Sequence, residues 1–306
     1  MLAHPTLDQL HTLGLHGLAK GFRELEHKPE ARSLDHAEWL GLLLEYELTL
    51  RRQKQYETRA RAAKLRHSAS VEDVNYQKPR GLDRALLLRL AACDWIAERR
   101  NLLVTGASGL GKSWLACALG HKACRENISV LYTRVPRLLA DLAIAHGDAR
   151  YARLLRSLAR VKLLILDDWG PEALTSNQAR DMLEIVEDRY DNGSLIITSQ
   201  VPIDRWHDLI GVPTLADAIL DRVVHNAYRI ELSGESLRKR HSSSRKRRAR
   251  GPDNPTLGAA RRWITAGSAT ALWRARYARR YPPPPNPAFT TRPSFPALAG
   301  PKSALA

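Results

Sequence analysis

The stretch NLLVTGASGLGKS, residues 101–113, decides the fold. Its first half is an apolar run typical of a buried strand, and its second half matches GxxxxGK[ST], the loop that binds nucleotide phosphates. Glycines let such a loop curl until its N–H groups converge on phosphate oxygens. The predicted nucleotide-binding residues are Gly106, Ala107, Ser108, Gly109, Leu110, Gly111, Lys112, Ser113 and Trp114. A glycine-rich turn without a ligand is the alternative interpretation.

Two side chains of this loop have predicted chemical roles. Lys112 can reach the β- and γ-phosphates, and the Ser113 hydroxyl can bind Mg²⁺. A helical run from Trp114 to Arg125 comes after the loop, so its N-terminus adds partial positive charge at the phosphates. The strand, loop and helix therefore predict a site for ATP and Mg²⁺.

A pair of acids comes after another apolar run. Residues 161–166 read VKLLIL and lead into Asp167 and Asp168. Acids at the carboxyl end of a central strand lie where open α/β sheets bind ligands. We expect Asp167 to hold Mg²⁺ and Asp168 to orient or deprotonate the attacking water. The alternative is an acid pair that caps the next helix.

Apolar strand-like runs alternate with amphipathic helical stretches beyond residue 79. The runs are residues 101–105, 128–133, 161–166, 194–199 and 229–232. This alternation predicts an α/β fold with a parallel sheet and crossover helices. The run at 194–199 ends beside Gln200, whose side chain could position water if its strand lies next to the acids. The alternative is an ordinary polar strand end without a role at the site.

The first 78 residues differ from the rest of the chain and look helical. Leucines at helical spacing predict two amphipathic segments, the second starting near Ser33 as its N-cap. Between residues 51 and 66 only Glu57 is acidic, whereas seven residues are basic: Arg51, Arg52, Lys54, Arg59, Arg61, Lys64 and Arg66. This charge fits the backbone of duplex DNA. The alternative is an exposed helix whose cations pair with acids elsewhere.

The charge of +16 on 306 residues is concentrated near the end of the chain. Residues 242–306 hold 13 Lys and Arg, one acid and ten of the 17 prolines, which predicts a disordered basic tail. No run of about 18 apolar residues occurs, so we expect no membrane-spanning helix. The start of the chain lacks the pattern of a secretory signal, and three unpaired cysteines favour reduced thiols and a cytoplasmic location.

Several further segments resemble one family of AAA+ ATPases. They are PRGLD at 79–83, DDWG at 167–170, IITSQ at 196–200, PTLADAILDRVVHNAYRIEL at 213–232 and GESLRKR at 234–240. They resemble the IstB family, helper ATPases of bacterial insertion sequences that are related to the DnaC helicase loaders. The resemblance implies a P-loop AAA+ parallel-sheet ATPase core at 79–240. A small helical domain at 1–78 would precede this core, and the tail at 241–306 would come after it.

The resemblance also implies roles for particular residues. Arg222 matches the arginine finger, which would complete the ATP site of a neighbouring subunit. Arg238 matches the second sensor, and Gln200 falls near the first sensor position. Asp168 stands where the wider class usually has Glu, and its shorter side chain predicts slow hydrolysis.

These expectations favour an ATP-dependent helper of transposition. It would form a homo-oligomer on duplex DNA, with ATP sites between subunits, and recruit or activate the transposase encoded by the same element. A DnaC-like helicase loader is the alternative, since its ATPase core would look nearly the same. A small-molecule kinase and a module that binds ATP without hydrolysis are further alternatives.

Overall fold

A computed structural model describes residues 4–77 and 79–237. Its helices are α1 (Pro5–Thr12), α2 (His16–Glu26), α3 (His36–Ala63), α4 (Arg84–Ala91), α5 (Asp94–Ala97), α6 (Lys112–Arg125), α7 (Val135–Gly147), α8 (Tyr151–Ala159), α9 (Ser176–Arg189), α10 (Trp206–Ile210) and α11 (Pro213–Val224). Its strands are β1 (Asn101–Gly106), β2 (Val130–Arg134), β3 (Leu163–Trp169), β4 (Ser194–Ser199) and β5 (Ala227–Leu232). Short 3-10 turns occur at Pro29–Ser33, Val71–Asp73 and Ile203–Arg205.

The strands form one parallel sheet in the order β2-β3-β4-β1-β5. Strand β4 therefore lies between β1, which leads into the glycine-rich loop, and β3, which carries the two acids. Parallel strands end on the same edge of a sheet, and ligands bind at that edge. The sheet order thus brings Gly106 and Asp167 to the same edge, with only β4 between their strands.

Helices cover both faces of the sheet because side chains alternate along each strand. Leu102 and Val104 of β1 pack with α6 on one face, whereas Leu103 packs with α7, α9 and α11 on the other. These side chains are fully buried, as are the apolar residues of β3. Burial on both faces explains the continuous apolar runs in the sequence.

The N-terminal helices pack through a close contact between α2 and α3. A Cβ on Gly17 would lie 2.4 Å from the Cα of Glu47, so only glycine fits there. The buried Glu47 carboxylate accepts hydrogen bonds from the N–H groups of Gly17 at 2.6 Å and Leu18 at 3.1 Å, and from Arg51 Nε at 2.7 Å. Glu47 thereby caps the first turn of α2, which has no side-chain cap of its own.

Helix α3 begins two residues later than the sequence predicted. Its N-cap is Asp35, whose carboxylate accepts a hydrogen bond from the N–H of Glu38 at 2.7 Å. Ser33 instead ends a 3-10 turn, and its hydroxyl donates to the carbonyl of Glu30. The prediction of Ser33 as the N-cap was wrong because Asp35 offers an equally good capping side chain closer to the apolar run.

The C-terminal half of α3 packs against the sheet region. The Tyr56 hydroxyl lies 3.1 Å from Nδ1 of His121 on α6. Leu65, just beyond α3, fills the space beside Gly120, where a Cβ would lie 2.9 Å from its Cδ2. Helix α3 therefore contacts α2 with its first half and α6 with its second, without a break between the two.

A buried arginine fixes the turn between α9 and β4. The Nη1 and Nη2 atoms of Arg189 donate to the carbonyl oxygens of Leu158, Val161, Lys162 and Ser194. Burial lowers the pKa of Arg189 to about 10, yet the four carbonyl dipoles compensate its charge.

The predicted α/β core with a preceding helical region is confirmed. None of the helices within residues 4–77 and 79–237 has the length and apolarity needed to span a membrane. The predicted tail at 241–306 lies outside the described residues. The domain boundaries at 78 and 240 stay predictions.

Candidate functional site

The loop between β1 and α6 adopts a conformation that needs its glycines. Gly106, Gly109 and Gly111 have φ values of 140°, 86° and 91°, which are left-handed. A Cβ on Gly106 would lie 2.2 Å from the carbonyl oxygen of Leu232, and one on Gly109 would lie 2.1 Å from Ser236 Oγ. Gly111 then serves as the N-cap of α6, so the helix begins at Lys112.

Lys112 lies folded against the loop from which it starts. Its side chain is buried, and Nζ donates to the carbonyl oxygens of Gly106 at 2.6 Å and Ala107 at 2.9 Å. The ammonium group is thus held among the predicted nucleotide-binding residues. Trp114, two residues further along α6, is partly buried against the core on the α6 face of the sheet.

The Asp167 carboxylate accepts hydrogen bonds from three hydroxyl groups. Ser113 Oγ donates to Oδ1 at 2.7 Å, Thr198 Oγ1 also donates to Oδ1, and the Tyr132 hydroxyl donates to Oδ2 at 2.6 Å. Burial and the hydrogen bond to Asp167 raise the pKa of Tyr132. Strands β2, β3 and β4 and helix α6 therefore meet at one carboxylate.

This donor set suits Mg²⁺. Mg²⁺ prefers hard oxygen ligands and keeps several waters, so a P-loop site needs one hydroxyl, one carboxylate and phosphate oxygens. Ser113 and Asp167 supply the first two, already within hydrogen-bond distance of each other. No group of three His, Cys, Asp or Glu within residues 4–77 and 79–237 is arranged to hold a metal, and a P-loop site does not require one.

Asp168 has an unusual backbone and a cationic partner. Its φ is 67°, and its N–H donates to Thr198 Oγ1 at 3.1 Å. Its carboxylate accepts a hydrogen bond from Arg134 Nη2 at 2.6 Å and lies 3.5 Å from Gln200 Nε2. Hydrogen bonding to Asp168 raises the pKa of Arg134. Gln200 is therefore placed beside the second acid, and Thr198 bridges both acids.

Three polar residues of this site were not predicted from the sequence. Thr198 lies inside the predicted strand at 194–199, Tyr132 is the middle residue of β2, and Arg134 is its last residue. The available signal was the polar end of each apolar run, because parallel strands place those ends together. Only the strand order shows which of these polar ends are neighbours.

Arg222 lies away from the loop of its own chain. Its carbonyl oxygen accepts a hydrogen bond from Asn101 at the start of β1, whereas the loop begins at the end of that strand. At about 3.3 Å per residue, the two ends of β1 are roughly 16 Å apart. The Arg222 guanidinium donates to the carbonyl of Ala218 at 2.9 Å and pairs with Glu187 at 3.0 Å.

The chain after β5 returns to the phosphate loop. The N–H of Leu237 donates to the carbonyl oxygen of Gly109 at 2.9 Å. Arg238, the predicted second sensor, lies just outside the described residues. The last described residue before it thus contacts the loop directly.

The seven predicted DNA-binding residues do not share one face. Residues seven apart on a helix lie on the same side. Arg52 and Arg59 form one such pair on the side facing α6, where Arg59 is half-buried with Nη1 lacking a hydrogen-bond partner among the described residues. Lys54 and Arg61 form a second, exposed pair on roughly the opposite side. The other three, Arg51, Lys64 and Arg66, are exposed, and Arg51 pairs with Glu47.

Arg52 also borders a groove in the described part of the chain. The groove measures about 580 Å³ and lies between α3, residues 68–73 and the end of α6. Its walls include Tyr56, His121 and Arg125. Arg125 pairs with Glu72 at 3.0 Å, so part of the positive charge in the groove is neutralised.

Comparison with known proteins identifies similar sequences along most of the chain. The model of the IstB-like ATP binding protein family matches residues 8–245. The insertion sequence ATP-binding protein y4pL of Sinorhizobium fredii is 62% identical over 239 residues, covering 78% of this chain and 98% of y4pL. The ATP-binding protein of insertion sequence IS1162 from Pseudomonas fluorescens is 49% identical over 203 residues, covering 66% of this chain and 88% of the relative.

Solved structures with similar backbones were also found. DnaI is 26% identical, with a TM-score of 0.48, covering 54% of this chain and 92% of DnaI. The DnaC helicase loader is 20% identical, with a TM-score of 0.45, covering 57% of this chain and 99% of the loader.

Proposed function

Since the chain belongs to the IstB-like ATP binding protein family, we propose that it is an ATP-hydrolysing, DNA-binding helper of transposition. It assembles as a homo-oligomer on duplex DNA and recruits or activates the transposase encoded by the same element. One observation carries the proposal: the loop residue Ser113 contacts Asp167 at 2.7 Å, at the carboxyl edge of the sheet, in a chain related to insertion-sequence ATP-binding proteins.

Nucleotide binding uses the loop and its lysine. The N–H groups of residues 106–113 and the N-terminus of α6 attract phosphate oxygens. Lys112 exchanges its carbonyl partners, Gly106 and Ala107, for phosphate oxygens, which bind an ammonium group more strongly. Ser113 and Asp167 would hold Mg²⁺, which would supply charge neutralisation at the phosphates.

Hydrolysis depends on Asp168. Its carboxylate orients the attacking water and accepts the proton that the water loses. The bond to Arg134 occupies one carboxylate oxygen, so Asp168 acts once that bond is broken. Thr198 holds the Asp168 backbone, and Gln200 supports the carboxylate from the other side.

Subunit contact completes the site. Arg222 lies too far from its own loop to reach a phosphate there, and its guanidinium is held by Glu187. A neighbouring copy that places its Arg222 at the γ-phosphate stabilises the charge that develops as the bond breaks. ATP binding and assembly are then linked.

The DNA surface lies on α3. Lys54 and Arg61 present two exposed positive charges on one side of that helix, and Arg51, Lys64 and Arg66 add to them. Contacts from such residues to phosphates do not depend on the base sequence, so the assembly binds duplexes of many sequences.

The testing experiment measures duplex binding and particle mass with ATP, ADP and no nucleotide. We expect ATP to raise both the affinity for the duplex and the mass of the particle. Lys112→Ala removes this response, whereas Lys122→Ala, in the last turn of the same helix, retains it. A wild-type chain that stays monomeric and ignores duplex DNA with every nucleotide overturns the proposal.

A further inference from the structure

A second buried cation lies behind the phosphate loop. Arg80 is 5% exposed, and its Nη1 donates to the carbonyl oxygen of Leu110 at 3.2 Å. A Cβ on Gly111 would lie 3.2 Å from the same nitrogen. The guanidinium is therefore packed directly against the loop that precedes Lys112.

The backbone around Arg80 is fixed to the end of β5. The carbonyl oxygen of Arg80 accepts a hydrogen bond from the N–H of Ser233 at 3.0 Å. Gly81 has a φ of 71°, and a Cβ there would lie 2.8 Å from the carbonyl oxygen of Glu231. A Cβ on Gly234 would lie 2.8 Å from the carbonyl oxygen of Pro79. This close packing fixes the backbone position from which the Arg80 side chain extends to the loop.

The charge of Arg80 is poorly compensated by the protein. Among the described residues no carboxylate forms an ion pair with it, and its buried Nε has no hydrogen-bond partner. Arg189 provides the comparison: its buried Nε also has no partner among the described residues, but its terminal nitrogens donate to four carbonyl oxygens, whereas Arg80 donates to the carbonyl of Leu110 alone. Burial lowers the pKa of Arg80, as expected for a cation held away from water.

The hydrogen bond to Leu110 orients a specific peptide group. In a trans peptide the C=O and the N–H point in opposite directions. The carbonyl of Leu110 points to Arg80, so the N–H of Gly111 points away from it, as a phosphate-binding N–H must. A charged donor on the carbonyl also polarises the peptide and strengthens the hydrogen bond that its N–H can donate.

We propose that Arg80 is a positioning residue for the triphosphate: acting through the Leu110–Gly111 peptide, it sets the phosphate loop and supplies fixed positive charge behind it. This inference rests on the proposed function, because it requires a nucleotide in the loop. The phosphates supply the negative charge that the protein does not provide for Arg80. The favourable energy therefore grows with the number of phosphate charges.

Titration calorimetry of the full chain with ATP, ADP and AMP tests this inference. Arg80→Gln keeps a hydrogen-bond donor but removes the charge, and we expect ATP affinity to fall about tenfold, ADP affinity less and AMP affinity little. Arg80→Lys keeps the charge but replaces the planar guanidinium with an ammonium group. We expect it to lose less affinity, again most for ATP, less for ADP and least for AMP. Arg84→Gln, an exposed arginine on α4, matches the charge change and leaves all three affinities at wild-type values.

The outcomes separate this inference from the proposed function. The inference is overturned if folded Arg80→Gln loses the same affinity for all three nucleotides or keeps its ATP affinity. Either result would show that Arg80 has only a packing role. If Arg80→Gln melts below the assay temperature, the same criterion is applied to Arg80→Lys. A wild-type chain that binds none of the nucleotides overturns both proposals.

Discussion

Arg134 Nη2 donates to Asp168 Oδ2 at 2.6 Å, linking the end of β2 to the second acid of β3. The side chain of Asp168 is 27% exposed and that of Arg134 is 47% exposed, so the pair lies at the mouth of the site. The acid that we assign to water activation is therefore engaged by a cation from a neighbouring strand. Removal of this cation should change turnover more than nucleotide binding.

We expect Arg134→Ala to raise the basal kcat for ATP by about threefold to tenfold, with KM nearly unchanged. The substitution frees a carboxylate oxygen of Asp168 to accept the proton of water. Phosphate release at saturating ATP measures the effect. Arg137→Ala is the control, because Arg137 is exposed on α7 and pairs with Asp141. A kcat at or below the wild-type value in Arg134→Ala would show that the ion pair does not restrain Asp168.

Mixing two inactive variants tests whether Arg222 acts on a neighbouring subunit. Lys112→Ala lacks a working nucleotide loop but retains Arg222, and Arg222→Ala has the reverse defect. Each variant alone should hydrolyse ATP slowly, and their mixture should recover part of the wild-type rate, because some interfaces combine two intact halves. If the mixture hydrolyses ATP no faster than the sum of its components, Arg222 does not complete a neighbouring site.

The exposed pair on α3 gives a prediction about salt dependence. Replacing Lys54 and Arg61 with alanine should weaken duplex binding and reduce the slope of log K against log salt by about 1.8, the value for two lost phosphate contacts. Arg153→Ala with Arg156→Ala, on the exposed side of α8, removes the same charge elsewhere. Equal slopes in the two double variants would place the DNA surface away from Lys54 and Arg61.

The cap that Glu47 provides predicts a pH dependence of the N-terminal helices. Burial opposes ionisation of Glu47, but hydrogen bonds from Arg51, Leu18 and Gly17 outweigh it and lower its pKa. The ionised Glu47 carboxylate therefore stabilises α2 fully above about pH 4.5, the ordinary pKa of a glutamate side chain. This stabilisation is lost as the pH falls through the lower pKa that Glu47 has in the folded protein.

Amide hydrogen exchange at Gly17 and Leu18 measures this contribution. Glu47→Gln should lower the free energy of opening α2 by about 1–3 kcal/mol at neutral pH. In this variant the opening free energy should no longer fall as the pH becomes acidic. Glu45→Gln is the control, since Glu45 is exposed on α3, the helix that carries Glu47. Identical exchange in Glu47→Gln and the wild type would mean that Glu47 does not cap α2.

Much of the fold could be predicted because its signals are local. The strand at residues 101–105, the glycine loop and the acids at 167–168 each carry a composition that few other structures require. All five predicted runs coincide with strands, although β3 extends to Trp169 and β2 starts at Val130. The resemblance to the IstB family is confirmed by the match to residues 8–245.

Contacts between distant segments could not be predicted in the same way. Arg134 and Asp168 are 34 residues apart, and Arg80 meets Leu110 across 30 residues. No periodicity connects such pairs, because they depend on strand order and on how residues 79–81 pack against the end of β5. The basic run at 51–66 shows the same limit: its charge is evident from the sequence, but the rotation of α3 decides which cations are buried.

Helix α3 has 28 residues and is about 42 Å long. Its two halves are anchored to different neighbours, α2 and α6, with no joint between them. Without a break along its length, a 5° tilt of the whole helix about its α6 end would move its other end by about 4 Å. A small rotation at the contact with His121 and Gly120 would therefore reach the α2 end as a displacement of several ångströms.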